Sequence, residues 1–498
     1  MLERIVNPNT KLSTAFVAAL LIGGCASLIT GCANYRGIHS DKTPRTIDSF
    51  ETSTSLQASA GEWPQQQWWS QFADAQLDAL MTEALSANAS LQSAAARLKA
   101  AQAYSGITRA ALYPTLGASA DIEYQHFSEN WEIPPPFGGS TVFNNILQLN
   151  ASYELDFWGK NRSAVKAALS SEQAAEAENA STRLLITAAL SKTYIELSRL
   201  YELRDVAAQS LTQREKILAL TQQRVDSGLD SRSELKQAEA QLPVIRGQLA
   251  QIDEAIGATR NSLAALIGAG PDRGLQITRP HLGTANISTA QLPANLPIDL
   301  LGRRPDIVAS RWRVEAALRA TDVAKAEFYP NVNLNAAIGY ASLGLDNLTR
   351  SNSEQYSVGP AVSLPIFAGG RLRANLKQRY ALYDEAVANY DETLTVALHD
   401  VADQINTYKW LQVRQHEQQS ALAVAHEALD LTSQRYAAGL GNYLNVLNAE
   451  TLVLTQEQLG AELNASALTV RVSLIKALGG GFDASAPTQS AATTARAR

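Results

Sequence analysis

The chain of 498 residues repeats itself. AALYPTLGASADIEY (110–124) resembles AEFYPNVNLNAAIGY (326–340), with Pro114 answered by Pro330 at an offset of 216. YELDFWGKNRS (153–163) resembles VSLPIFAGGRLR (362–373), with Arg162 answered by Arg371 at an offset of 209. LTQQRVDSGLDSRSEL (220–235) resembles LTSQRYAAGLGNYLNV (431–446), with Gly228 answered by Gly439 at an offset of 211. Three matches in one order at nearly constant offset mark an internal duplication, which restricts the fold more than any composition does. Each copy has the same layout: a helix ending at Tyr-Pro (about 74–111 and 304–328), two strands around a loop, then two very long helices joined by a glycine turn.

The strands show a strict period of two. Leu116, Ala118, Ala120, Ile122 and Tyr124 alternate with polar or small residues, as do Val332, Leu334, Ala336, Ile338 and Tyr340. Leu149 to Phe157 and Tyr356 to Ile366 repeat the pattern, giving expected strands at 115–127, 146–157, 331–342 and 356–367. A soluble sandwich shows the same alternation. Roughly ten residues per strand is also the length that crosses a bilayer at a tilt. The loop 128–143 is proline-rich and long, whereas the other strand ends run straight into helices. Tyr124, Trp131, Phe157 and Trp158 stand near strand ends, where interfacial aromatics belong. Lipid permits no open sheet edge, so four membrane strands per chain require an assembly.

From Lys160 to about Ser227 there is no proline, and a helix of that length reaches on the order of 100 Å; its counterpart runs from about Arg371 to Ala438. The returning helix carries a seam at Leu235, Ala238, Leu242, Ile245, Leu249, Ile252 and Ile256, the spacing of coiled-coil packing, with a kink expected at Pro243. The turns at 226–231 and 437–442 read as helix stops and restarts. Gly228 and Gly439 suit a left-handed residue, and Asp230 and Asn442 are expected to cap the next helices.

Residues 1–31 read as an export signal: Arg4 and Lys11, then the apolar LSTAFVAALLI (12–22), then LITGC (28–32). That cleavage pattern places a covalent lipid on Cys32, with Cys25 the weaker candidate and an ordinary signal peptide the bland one. Ala33 rather than Asp fits outer-membrane sorting of a bacterial lipoprotein. These are the only cysteines, so the mature chain has no disulfide. A net charge of −6 gives no hint of nucleic acid. The six histidines are scattered, with no HExxH, phosphate-binding loop or nucleophile elbow, so neither an enzyme nor a metal site is expected.

The ordered set LITGCANY (28–35), QQWWSQFADAQLDALMTEAL (66–85), YELDFWGKNRS, NSLAALIG (261–268), LLGRRPDI (300–307), FYPNV (328–332), LPIFAGGRLRANL (364–376) and ALGGGF (477–482) resembles the TolC family of outer-membrane efflux channels, in its NodT-type lipoprotein branch. The resemblance implies an α+β membrane protein: a homotrimeric 12-stranded β-barrel continued by a periplasmic helical tunnel, with an equatorial region. It implies a passive exit duct for small molecules, joined by a periplasmic adaptor to an inner-membrane pump, with no cofactor beyond lipid on Cys32. A type I protein-secretion channel and a structural trimeric stalk are the alternatives; a stalk has no use for the paired strands. The expected segments are the signal at 1–31, an acylated and equatorial stretch at 32–73, a first repeat at 74–267, a linker at 268–302, a second repeat at 303–482 and a disordered tail at 483–498. By the same resemblance, Asp400 and Asp403 in ALHDVADQINTY (397–408) would form a periplasmic gate near the tunnel tip. The hairpin tips, at Arg224, Gly228, Leu229, Arg435, Gly439 and Leu440, would meet the adaptor. GRRPD (302–306) reads structurally, with Pro305 and Asp306 in a first helical turn and Arg303 and Arg304 paired nearby.

Overall fold

The computed structural model describes residues 34–52, 54–56, 61–130, 133–282 and 296–484. The signal segment, Cys25, Cys32, Trp131 and the tail from residue 485 lie outside the described residues. The chain divides into two compact units that cut across the duplication. One comprises residues up to Pro44, Lys99–Ala174 and Arg311–Asn389; the other comprises Arg45–Leu98, Ala175–Ser310 and the chain from Tyr390 onward.

The first unit holds the sheet. Strands β1 (Thr115–His126), β2 (Thr141–Glu154), β3 (Asn331–Leu343) and β4 (Glu354–Ser363) lie in chain order, each antiparallel to the next. Strand β2 begins earlier than its alternation suggested, because Phe143 sits opposite Tyr124 with ring centroids 5.0 Å apart. It also ends earlier, because Asp156 turns back to accept from the backbone N–H groups of Asn161 (3.2 Å) and Arg162 (2.9 Å). Strand β4 stops at Ser363 rather than at 367, just before Pro365, which has no N–H to give a ladder.

Four helices dominate the rest. After α1 (Ala75–Ala87) and α2 (Ala89–Ala110), the long helix α3 spans Lys160–Asp226 and is answered by α4 (Arg232–Leu266). In the second copy α5 (Leu296–Arg303) and α6 (Pro305–Ala326) precede α7 (Arg371–Ala437) and α8 (Tyr443–Ala477). Helices α3 and α7 both have 67 residues, and α4 and α8 both have 35, each pair offset by 211. The structural counterpart of Arg162 is therefore Arg373, not Arg371. Five residues join β2 to α3 but seven join β4 to α7, which shifts the sequence match by two. Helix α4 carries Pro243 without ending there, and Ala238, Ile245, Ile252 and Ile256 of the expected seam are buried. Among the described residues no helix is long and apolar enough to cross a membrane.

The core of the second unit packs Trp68, Phe72, Leu77, Leu80 and Met81 against Leu190, Tyr194 and Leu197 of α3, Leu263 of α4 and Val472 of α8. Asp74 ties this region together. Its carboxylate caps α1 and accepts from the Tyr194 hydroxyl (2.9 Å) and the His281 N–H (2.8 Å), so the segment following α4 is pinned to the start of the first repeat.

The sheet leaves one position no tolerance. A Cβ placed on Gly339 of β3 falls on the carbonyl oxygen of Leu147 and the backbone of Gln148 in the neighbouring strand. Backbone cannot yield as a side-chain tip does, so Gly339→Val is expected to cost about 3 kcal/mol or more. It should sharply lower the yield of heat-resistant oligomer on a semi-native gel; a full yield would mean the β2–β3 register is looser than described.

Candidate functional site

In an antiparallel ladder, directly opposed residues share a face. Leu116, Ala118, Ala120 and Tyr124 of β1 stand opposite Ala151, Leu149, Leu147 and Phe143 of β2. That face continues through Ala336, Ile338 and Tyr340 of β3 and Val358 and Tyr356 of β4. It is uncovered: Leu116 is 76% exposed and Tyr356 84%. The opposite face carries Ser119, Asp121, Glu123 and Gln125, then Asn144, Gln148 and Asn150, then Asn333 and Asn335, and lastly Gln355 and Ser357. No lysine or arginine occurs in any of the four strands. Asn145 and Ser342, beside Ile122, and Glu354, opposite Tyr340, are polar positions on the apolar face; the apolar remainder is too large to be left to water. Such a sheet separates a hydrocarbon phase from an aqueous one.

The two hairpin turns are built alike and used differently. Gly228 and Gly439 have φ of 75° and 79°, and the Leu229 and Leu440 N–H groups each reach back to an arginine carbonyl, Arg224 and Arg435, at 2.8 Å. This is the glycine-terminated helix end that the sequence announces. Leu229 and Leu440 project from it, 64% and 73% exposed, and Arg435 is exposed as well. Arg224 is not. It is buried, donating to Asp230 twice (2.8 and 2.9 Å) and to the Tyr436 carbonyl (2.7 Å), with its guanidinium over the Tyr436 ring. The Tyr436 hydroxyl donates to the same carboxylate at 2.6 Å and shares a bond of 3.0 Å with Thr221. Asp230 therefore does not cap α4 as expected. Ser231 does, in a reciprocal box with Glu234, while Asn442 caps α8 as expected.

Sequence reasoning missed a second buried pair. Arg214 donates to Glu450 at 3.1 Å and to Gln241 at 2.6 Å, joining α3 to α8 and α4. The signal was available: Glu450 stands four residues after Val446 and three before Val453, on an otherwise apolar seam. Burial raises its carboxyl above the usual range, against the pull of Arg214.

Asp400 and Asp403 are not where the expectation put them. Asp400 lies 37 residues before the end of α7, about 55 Å along the helix from the tip. Its carboxylate meets Arg304 at 3.3 Å, and Arg304 also grips Asp306 at 2.6 Å and the Ala477 carbonyl. GRRPD is thus a structural clasp, with Pro305 opening α6 and Arg303 on Asp483 at 3.4 Å. Asp403 is exposed on the same helix.

The hydrogen bond from Arg224 holds Asp230 below the usual carboxylate range, and burial pushes the Tyr436 hydroxyl up to about 12. A lowered carboxylate contributes stability that is complete above its unfolded value near 4. That contribution is lost as the pH falls through the folded value. Asp230→Ala strands the Arg224 guanidinium. It keeps its bond to the Tyr436 carbonyl, so the expected cost is about 2 kcal/mol, against about 1 kcal/mol for Tyr436→Phe. Hydrogen exchange across 218–232 and 434–444 should speed up accordingly; equal rates in Asp230→Ala and the parent chain would remove the pair as the tie between hairpins.

The family model for outer membrane efflux protein matches residues 80–269 and 296–480, both copies of the repeat. Fusaric acid resistance protein FusA of Burkholderia cepacia is 35% identical over 376 residues, 74% of this chain and 70% of that protein. Multidrug resistance outer membrane protein MdtP of Shigella flexneri is 31% identical over 489 residues, 96% of this chain and 98% of its own. The crystal structure of outer membrane protein VceC of Vibrio cholerae superposes with a TM-score of 0.80 at 40% identity, over 84% of this chain and all of VceC. In that architecture the sheets of three chains, four strands each, close a twelve-stranded barrel in the outer membrane, and the long helices form a periplasmic tunnel. The chain belongs to the outer membrane efflux protein family, and it is a passive efflux exit channel of the outer membrane rather than an enzyme.

Proposed function

We propose that this channel is the last segment of a tripartite pump, receiving small organic solutes from an inner-membrane transporter through a periplasmic adaptor that grips the hairpin tips. The observation that carries this reading is the pair of exposed leucines, Leu229 and Leu440, on turns stiffened by Arg224, Asp230 and Tyr436. An exposed leucine on a rigid turn is a knob that a partner helix pair can bury at little entropic cost. Gly228, Gly439 and Arg435 complete the contact; Arg224 holds the turn from within and offers the adaptor nothing. Asp400 is committed to Arg304 and carries no gate in this reading, which leaves Asp403 as the carboxylate of the pair that faces solvent.

The cargo class follows the relatives, named for fusaric acid and for multidrug resistance. A lumen face of Ser, Asn, Gln, Asp and Glu offers water-like lining and no deep site, as suits a duct whose selectivity resides upstream. Lipid on Cys32 is the remaining element, a second anchor to the membrane that the barrel crosses.

The test pairs the channel with its pump and adaptor in a Gram-negative strain lacking other exit channels. The parent chain should restore resistance to small toxic compounds. Leu229→Asp with Leu440→Asp should abolish both resistance and co-purification of the adaptor while the native mass stays that of three chains. Full resistance in the double variant would sink the tip assignment, and export of a polypeptide alone would favour protein secretion. Mass spectrometry of the mature chain should show acyl mass on residue 32, absent in Cys32→Ser.

A further inference from the structure

Both long helices begin with cations where helix physics disfavours them. Helix α3 opens with Lys160, Arg162 and Lys166, and α7 with Arg371, Arg373 and Lys377, at the first, third and seventh positions of each. The positive end of the helix dipole favours acidic side chains there, yet the first acid appears at Glu172 in α3 and at Asp384 in α7. The pattern occurs in both copies of the repeat, so it is not one stray residue. Two of the six are neutralised: Lys160 by Glu154 at 2.5 Å and Arg162 by Asp156 at 3.2 Å. Lys166, Arg371 and Lys377 are exposed and, among the described residues, meet no carboxylate, while Arg373 donates to the carbonyl of Asn34 at 2.6 Å.

The residues just before each cationic run are apolar and uncovered. Phe157 and Trp158 precede α3, and Ile366 and Phe367 precede α7, the last of these 90% exposed. They sit on the connections between the membrane strands and the helices, with Trp158 stacked on Tyr329 at 4.6 Å and donating to the Pro330 carbonyl. Cations within one or two turns of membrane-embedded aromatic residues stand at headgroup depth.

We propose that Lys166, Arg371, Arg373 and Lys377 form a collar that binds the phosphates of anionic phospholipid in the periplasm-facing leaflet. The exposed Ile366 and Phe367 lie among the same lipids' acyl chains. A soluble anion would explain the charges but not the bare apolar residues beside them. The inference depends on the sheet being in the membrane and not on any adaptor or on lipid at Cys32.

The experiment uses the full trimer in neutral detergent, adding phosphatidylglycerol, phosphatidylcholine or inorganic phosphate and following thermal dissociation. Phosphatidylglycerol should stabilise the parent more than phosphatidylcholine does. In K166Q/R371Q/R373Q/K377Q its half-maximal concentration should rise at least about tenfold. K216Q/R232Q/K409Q/R414Q, the same charge change elsewhere on the helices, should behave as the parent. Equal effects of the two lipids, an unchanged midpoint in the collar variant, or an equal effect of inorganic phosphate would each overturn the proposal. Where the quadruple variant does not assemble, K166Q/R371Q and R373Q/K377Q are compared instead, and an unchanged midpoint in both is again fatal.

Discussion

A backbone N–H or C=O facing hydrocarbon has no water to fall back on, and each unpaired group costs several kcal/mol. The sheet of one chain ends at β1 on one side and β4 on the other, with the outward ladder groups of both strands unmatched within the chain. The edge of one copy must therefore be closed by the opposite edge of another. Closure by further copies is the condition under which the strands can exist in a membrane at all, and the trimer meets it. It also fixes the lumen: three sheets of four strands make a barrel wide enough to stay open, where two would nearly fill themselves with side chains.

The helices solve a different problem. A coiled-coil seam specifies that helices pack but tolerates sliding by a heptad. Two hairpins of equal length, from two copies of one sequence, are especially prone to such slips. Buried ion pairs remove the ambiguity, because a slipped register strands a charge in an apolar layer. Arg214 with Glu450, and Arg224 with Asp230 and Tyr436, each join the first hairpin to the second, one within the seam and one at its end. Their value lies in discrimination between registers more than in net stability.

The fold was legible to the extent that it rests on periodicity. Four alternating strands, two glycine-ended hairpins and a repeat near 211 residues are all patterns in sequence, and the structure contains each. Strand ends were less legible, because Asp156 and Pro365 terminate pairing by local chemistry that alternation ignores. The candidate site was read unevenly. Gly228, Leu229, Gly439 and Leu440 follow from the turn itself. The roles of Arg224 and Asp230 turn on Tyr436, more than 200 residues away, so proximity along the chain suggested a contact residue and a cap instead of an interior pair. Asp400 was placed by resemblance of a short helical segment, which fixes a face of the helix but not a level along 67 residues.

An internal duplication also supplies something a single sequence lacks, since the two copies are an alignment of two. What both copies keep must serve a need they share. Glycine in the left-handed turn, leucine after it, and cations at the first, third and seventh positions of each long helix are in that class. Every copy of the unit meets the same membrane at one end and ends in the same turn at the other. What the copies do not share marks where they face each other. Asp230 is answered by Gly441 and Tyr436 by Val225, so only the first hairpin provides the carboxylate and only the second provides the ring. Two identical hairpins would present two carboxylates or two rings to one another. The divergence gives the pair a donor and an acceptor, and the buried arginine of the first copy becomes part of the structure while its equivalent, Arg435, stays at the surface.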